Sequence, residues 1–281
     1  MPHPLKVYHS AAGLVAEIDG HCRLLPAEVG FDRLFAAADP AQAVKAAAAN
    51  GREVGRPETV LAPIGQQEVW AAGVTYLRSR AARVAESKDA GGGVFYDKVY
   101  EAPRPELFFK ATAHRVAPSG GQVCIRADSQ WNVPEPELTL AINAAGKIFG
   151  YTIGNDMSSR DIEAENPLYL PQAKVYDRSA SLGPCLWLSE TAPSLSTEIR
   201  IKIRRGGVAV FEGATTLERM KRTLTEVAAY LFRSNSFPVG CYLMTGTGIV
   251  PPDEFSLQVG DVIEISIDPI GTLINTVILA P

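Results

Sequence analysis

Cysteine and histidine are scarce in this chain of 281 residues, with four of each. Cys22, Cys124, Cys185 and Cys241 stand far apart with no CxxC pair. That spacing excludes a zinc knuckle or a disulfide framework and reads as buried, reduced thiols of a cytoplasmic protein. The opening MPHPLKVYHS lacks a basic stretch followed by an apolar one, and no window is long and apolar enough to cross a bilayer, so neither a leader nor a membrane partner is expected. Excess charge of one sign is lacking too. With 27 basic residues against 31 acidic ones, nucleic acid and anionic lipid have no electrostatic reason to bind. Internal repeats and low-complexity tracts are also absent. The length suits one large domain, or one of about 200 residues beside a small one.

Residues 6–25 alternate apolar and polar around Gly13 and Asp19-Gly20, a hairpin pattern that predicts a small N-terminal sheet. The alanine-rich stretch 31–50 predicts two short helices broken at Asp39-Pro40. The polar run GREVGRPET, 51–59, reads as a linker, so we expect a small α/β domain over 1–65 and a larger one over 66–281. The larger part predicts a strand over 69–76 and a charged helix over 77–87. Further strands are expected at 106–110, 123–126, 186–189, 198–204, 208–211, 242–244, 262–267 and 273–279. One helix is expected over 219–235, with Met220, Leu224, Val227, Ala228 and Leu231 on one face. Gly91 to Gly93, beside Phe95, Tyr96 and Tyr100, form either a surface loop or a lid near 86–103. The fold class is α+β, mostly β, rolled or barrel-like.

The polar residues concentrate in WNVPEPELTLAINAAGKIFGYTIGNDMSSRD, which begins at Trp131. Glu135 and Glu137 are two apart at the start of an apolar run and so project from one face of a strand. A hairpin made of 137–141, a turn at 143–147 and 148–153 returns Asp156 to them. Three converging carboxylates repel one another unless a cation lies between them. A hard divalent ion bound by oxygen, Mg²⁺ with Mn²⁺ or Ca²⁺ as substitutes, answers that need. The alternative is a solvated strand face. Lys174 is either a functional cation or a solvated strand lysine. Thr245, Gly246 and Thr247 are either a carboxylate-binding loop or an ordinary turn. Arg160 and Asp161 are expected to form an ion pair supporting the loop that carries Asp156.

Four segments occur in order: ExE at 135–137, GYT..ND.S.RD at 150–161, AK..D....GP at 173–184 and TGT at 245–247. Together they resemble the fumarylacetoacetate hydrolase superfamily over roughly 70–281. The resemblance implies a mixed β-roll or barrel and makes Glu135, Glu137 and Asp156 metal ligands. It sets Lys174 beside a bound small-molecule 2-oxo acid, with Ser79, Thr245, Gly246 and Thr247 on the substrate. It also favours the lid, and a homodimer or homotetramer. Hydrolytic members carry an NY..H..E segment that activates water. Here Ser79 stands for the histidine and Ala82 for the glutamate, and beyond the N-terminal region the only histidine is His114. GVTYLRSRAAR together with RPELFFK looks most like the branch that dehydrates 2-keto-3-deoxy sugar acids such as pentonates. That likeness makes Glu106 the acid/base of a reaction through a metal-stabilised enolate, giving 2-oxoglutarate semialdehyde. The bland alternative for Glu106 is a salt bridge with Arg104 or Lys110. Other readings are an acylpyruvate-type hydrolase, decarboxylase or tautomerase of the same superfamily, and a sugar-acid sensor without turnover.

Overall fold

Asp19 and Gly20 take φ angles of 51° and 84°, the geometry of a two-residue hairpin turn whose twist matches the strands it joins. They connect β2 (Gly13–Ile18) to β3 (His21–Leu24), after β1 (Leu5–Ser10). Helices α1 (Phe31–Ala36) and α2 (Pro40–Ala49) break where expected, the Asp39 carboxylate capping α2 by accepting from the Gln42 amide at 2.9 Å. Strand β4 (Arg52–Val54) lies inside the expected linker and pairs with β3. The computed structural model describes residues 4–78 and 98–281. Ser79, most of the expected helix over 77–87 and the glycines of the expected lid lie outside the described residues.

The larger part supplies β5 (Glu68–Gly73), β6 (Glu106–Ala111), β7 (Val116–Ala117), β8 (Gln122–Ile125), β9 (Asn132–Ile142), β10 (Ile148–Ser159) and β11 (Ala180–Leu188). It continues with β12 (Glu198–Arg205), β13 (Val208–Thr216), β14 (Cys241–Met244), β15 (Val262–Ile267) and β16 (Gly271–Leu279). Three further α-helices are described: α3 (Arg160–Glu165), α4 (Leu170–Lys174) and α5 (Leu224–Leu231). Among the described residues the strands form a sheet of eleven, ordered β4-β3-β2-β1-β11-β10-β9-β14-β5-β6 with β7 on β11, and a sheet of five, β13-β12-β15-β16-β8. The fold is thus mostly β, as expected.

Two expectations need correction. The N-terminal strands do not make a sheet of their own: β1 runs antiparallel to β11, with Leu5 opposite Leu188 and Val7 opposite Leu186. Alternation dictates which face of a strand is buried but not which strand lies beside it. The helix expected over 219–235 is shorter. Thr223 caps it by accepting from the Glu226 amide at 3.1 Å. Ahead of the cap, 217–219 form a 3₁₀ turn, and Met220 bridges to Tyr76.

The five-stranded sheet packs against one face of the central hairpin. Leu138, Leu140, Ile142 and Ile153 meet the inward isoleucines of β12 and β15, Ile199 to Ile203 and Ile263 to Ile267. Each such side chain contributes about 1.5–3 kcal/mol by leaving water. On the opposite face Ala141, Phe149, Tyr242 and Met244 pack with Leu34 and Phe35 of α1. Strands β9 and β10 are therefore covered on both sides.

Candidate active site

The β9–β10 pairing sets Asp156 directly opposite Glu135, and Gly154 opposite Glu137. Residues opposed in an antiparallel pair share a face, so the hairpin brings the three carboxylates together. One oxygen from each lies within 4.8 Å of the others. Glu135 is 4 % exposed, Glu137 1 % and Asp156 0 %, which rules out a solvated strand face. Burial, then the neighbouring Asp156 and Glu135, push the Glu137 carboxyl well above its ordinary 4.5.

Among the described residues three cations answer this charge. Lys174 lies at the end of helix α4, not on a strand, and its ammonium bridges Glu135 Oε2 and Asp156 Oδ2, the latter at 3.3 Å. Arg160 Nη2 meets Glu135 Oε1 at 2.8 Å. Lys110, fully buried, stands 2.6 Å from Asp156 Oδ1. It makes this contact as an ion pair out of line for a hydrogen bond, and it donates to the carbonyls of Met157 at 2.8 Å and Lys174 at 2.5 Å. Burial pulls its pKa down, and the Asp156 charge opposes that pull. Arg160 and Asp161 do not pair with each other. The Asp161 carboxylate accepts from the Ser129 hydroxyl and the Gln130 amide, both at 2.6 Å, holding the chain that leads into β9.

Strand β6 ends over this cluster. Glu106, Phe108 and Lys110 alternate onto one face, and the cavity that holds the triad is lined by Glu106, Phe108, Glu163, Lys174, Gly246 and Thr247. Gly73 is paired with Glu106 across β5, and a Cβ there would overlap the Glu106 carboxylate. The salt-bridge alternative for Glu106 fails in its two named partners: Lys110 is spent on Asp156, and Arg104 lies over the Tyr230 ring at 5.7 Å. Among the described residues no histidine lines this cavity. His114 sits exposed on a 3₁₀ turn beside Thr112.

The 245–247 loop divides its labour. The Thr245 hydroxyl donates to the Leu138 carbonyl at 2.8 Å and is absent from the cavity lining. The Gly246 amide donates to Glu137 Oε2 at 2.6 Å, while Thr247 lines the cavity and exchanges hydrogen bonds with the Ile249 backbone. Sequence reasoning missed Glu163, which lies in the lining and accepts from Ser158 at 3.2 Å. Its signal was the i, i+3 spacing from Arg160, which puts both on one face of α3. At the far end of the expected lid, Arg222 donates to the carbonyls of Val99, Ala102 and Pro103 and fixes the approach to β6.

The donor set suits a divalent ion: all oxygens, buried, mutually repelling, and bridged by a lysine ammonium on two of them. The model of the C-terminal part of fumarylacetoacetate (FAA) hydrolase matches residues 69–278. The chain belongs to the fumarylacetoacetate hydrolase family. Within this family it is 47 % identical over 216 residues to a probable 2-keto-3-deoxyxylonate dehydratase of Haloferax volcanii, covering 76 % of this chain and 73 % of the relative. It is 45 % identical over 218 residues to a 2-dehydro-3-deoxy-D-arabinonate dehydratase of Saccharolobus solfataricus, with the same shares, 76 % and 73 %. A solved 2-keto-3-deoxy-D-arabinonate dehydratase complexed with magnesium and 2,5-dioxopentanoate matches at a TM-score of 0.82 and 34 % identity, over 98 % of both chains. The family match includes every residue of the triad, Glu106, Lys110 and Lys174. The structural match extends to strands β1 to β4 as well.

Proposed function

We propose that this family member is a Mg²⁺-dependent dehydratase that removes water from a 2-keto-3-deoxy sugar acid, a pentonate giving 2,5-dioxopentanoate, which is 2-oxoglutarate semialdehyde. The observation that carries the reading is the company of the triad: a glutamate, Glu106, faces the cavity, and no histidine lines it among the described residues. The dehydratase relatives and the magnesium and product in the solved dehydratase support it. Glu135, Glu137 and Asp156 would hold the cation, which when bound would draw electrons from a 2-oxo carboxylate and so acidify its C3 protons.

Glu106 takes a proton from C3 and the C4 hydroxyl leaves with a proton as water. A C5 proton then moves to C3, and the resulting enol becomes the C5 aldehyde. The mass falls by one water and no oxidant is needed. Lys174 directs its ammonium at the oxygen where negative charge grows, and Phe108, whose ring lies 5.6 Å from that ammonium, keeps the charge pair out of bulk water. Gly246 holds Glu137, and Thr247 contacts the substrate. We further propose a cytoplasmic homodimer or homotetramer; the exposed Val208 and Val210 on edge strand β13 support the association.

Glu106→Gln is expected to lower turnover of a 2-keto-3-deoxypentonate by roughly 10²–10⁴-fold, the range for losing a general base, with magnesium affinity unchanged. Product mass and NMR with and without magnesium are the measurement. Normal turnover in the variant, or cleavage of an acylpyruvate with gain of water by the unaltered enzyme, would overturn the reading.

A further inference from the structure

Each carboxylate of the triad has one oxygen already engaged by an amide or a cation. Arg160 meets Glu135 Oε1 at 2.8 Å, the Gly246 amide meets Glu137 Oε2 at 2.6 Å, and Lys110 stands 2.6 Å from Asp156 Oδ1. These groups come from α3, the loop after β14, and β6, so no single segment carries them. Lys110 cannot swing away, because the Met157 and Lys174 carbonyls hold the same ammonium. The other three oxygens are Glu135 Oε2, Glu137 Oε1 and Asp156 Oδ2; the Lys174 ammonium bridges the first and the last, so an ion held by all three takes the place of that ammonium between them.

We infer that Lys110, Arg160 and the Gly246 amide set the cation selectivity of the site, by leaving each carboxylate a single oxygen to give. The inference rests on the reading of the triad as a divalent-cation site. Mg²⁺ and Mn²⁺ take six ligands and keep waters, so three one-oxygen carboxylates satisfy them and leave room for a chelating substrate. Ca²⁺ takes six to eight and gains from carboxylates that give both oxygens. Here the second oxygen of Asp156 and of Glu135 lies against a positive charge that repels any cation approaching it. Lys110 thereby links three parts of the site. It shares the face of β6 with Glu106, fixes Asp156 on β10, and anchors the end of α4 from which Lys174 projects.

The test is calorimetric titration of the metal-free enzyme with Mg²⁺ and Ca²⁺, without substrate, for wild type, Lys110→Met and Arg160→Met. Wild type is expected to prefer Mg²⁺, and either variant to shift the ratio of affinities toward Ca²⁺ by about tenfold or more as a second carboxylate oxygen becomes available. A ratio staying within about twofold of wild type in folded variants, both ions weakening together, overturns the inference and leaves these groups a purely structural part. Infrared difference spectra of wild type on adding each ion need no variant. The wide carboxylate splitting of one-oxygen binding is expected, and the narrow splitting of two-oxygen binding overturns the inference even if both variants fail to fold. No binding of either ion to wild type would instead overturn the proposed function.

Discussion

Strands β12 and β15 alternate between buried and more exposed positions along most of their length, whereas β9 is buried at every residue and β10 at all but its first. The same two-residue period thus carries different information in the two sheets. In the small sheet the outward positions, such as Arg200, Lys202 and Glu264, are partly exposed and pair with other charges at the surface. On the central hairpin no face is left for water, so a polar residue there must be answered by another polar group. Glu135, Glu137, Asp156, Asn155, Ser158 and Ser159 are all buried. Buried charge costs stability unless it is paired, and its concentration on two adjacent strands marks the site.

The comparison is broken most strongly at Glu137. Glu137→Gln is expected to cut turnover by more than about 10²-fold, since even groups that only support a ligand cost 10–100-fold. It should also steady the metal-free protein at neutral pH. The raised carboxyl gives its proton up more readily unfolded than folded, so stability present below the ordinary 4.5 is lost as pH climbs toward the raised folded value. Thermal unfolding of metal-free wild type should therefore weaken over that climb, the variant should lack that part of the slope, and magnesium should restore the wild type. A wild type indifferent to pH there would mean that the carboxyl is not held protonated.

In the small sheet the effects exchange places. Ile265→Ala, at a fully buried inward position, is expected to cost about 2–5 kcal/mol in denaturant unfolding while kcat of the surviving folded enzyme stays near wild type. The smallest effect belongs to the outward pair Lys202 and Glu212. Lys202→Ala should change stability by less than about 1 kcal/mol, the usual worth of an exposed ion pair. A larger loss in the same unfolding assay would show that this face is covered in solution, as in an oligomer.

What was legible beforehand follows the same division. Alternation revealed the strands, and the spacing of Glu135, Glu137 and Asp156 around one turn foretold their meeting, because a tight hairpin is a local object. Strand length was underestimated for β10 and β11, where polar residues, glycine and proline interrupt the apolar signal. The cations behind the carboxylates, Lys110 and Arg160, were not legible. Lys110 reaches Asp156 over 46 positions of chain, and Arg160 was assigned to its neighbour Asp161 because adjacency in sequence was the only information available. The partner of β1 was hidden for the same reason.

That partner has a practical consequence. The family match begins at residue 69, which invites treating the first 65 residues as an accessory. Yet β1 covers the backbone of Leu186, Trp187 and Leu188, in a strand that adjoins the one carrying Asp156. A chain trimmed to its recognisable part would present those amides and carbonyls as an open edge, the kind of surface on which strands of other molecules add and aggregates begin.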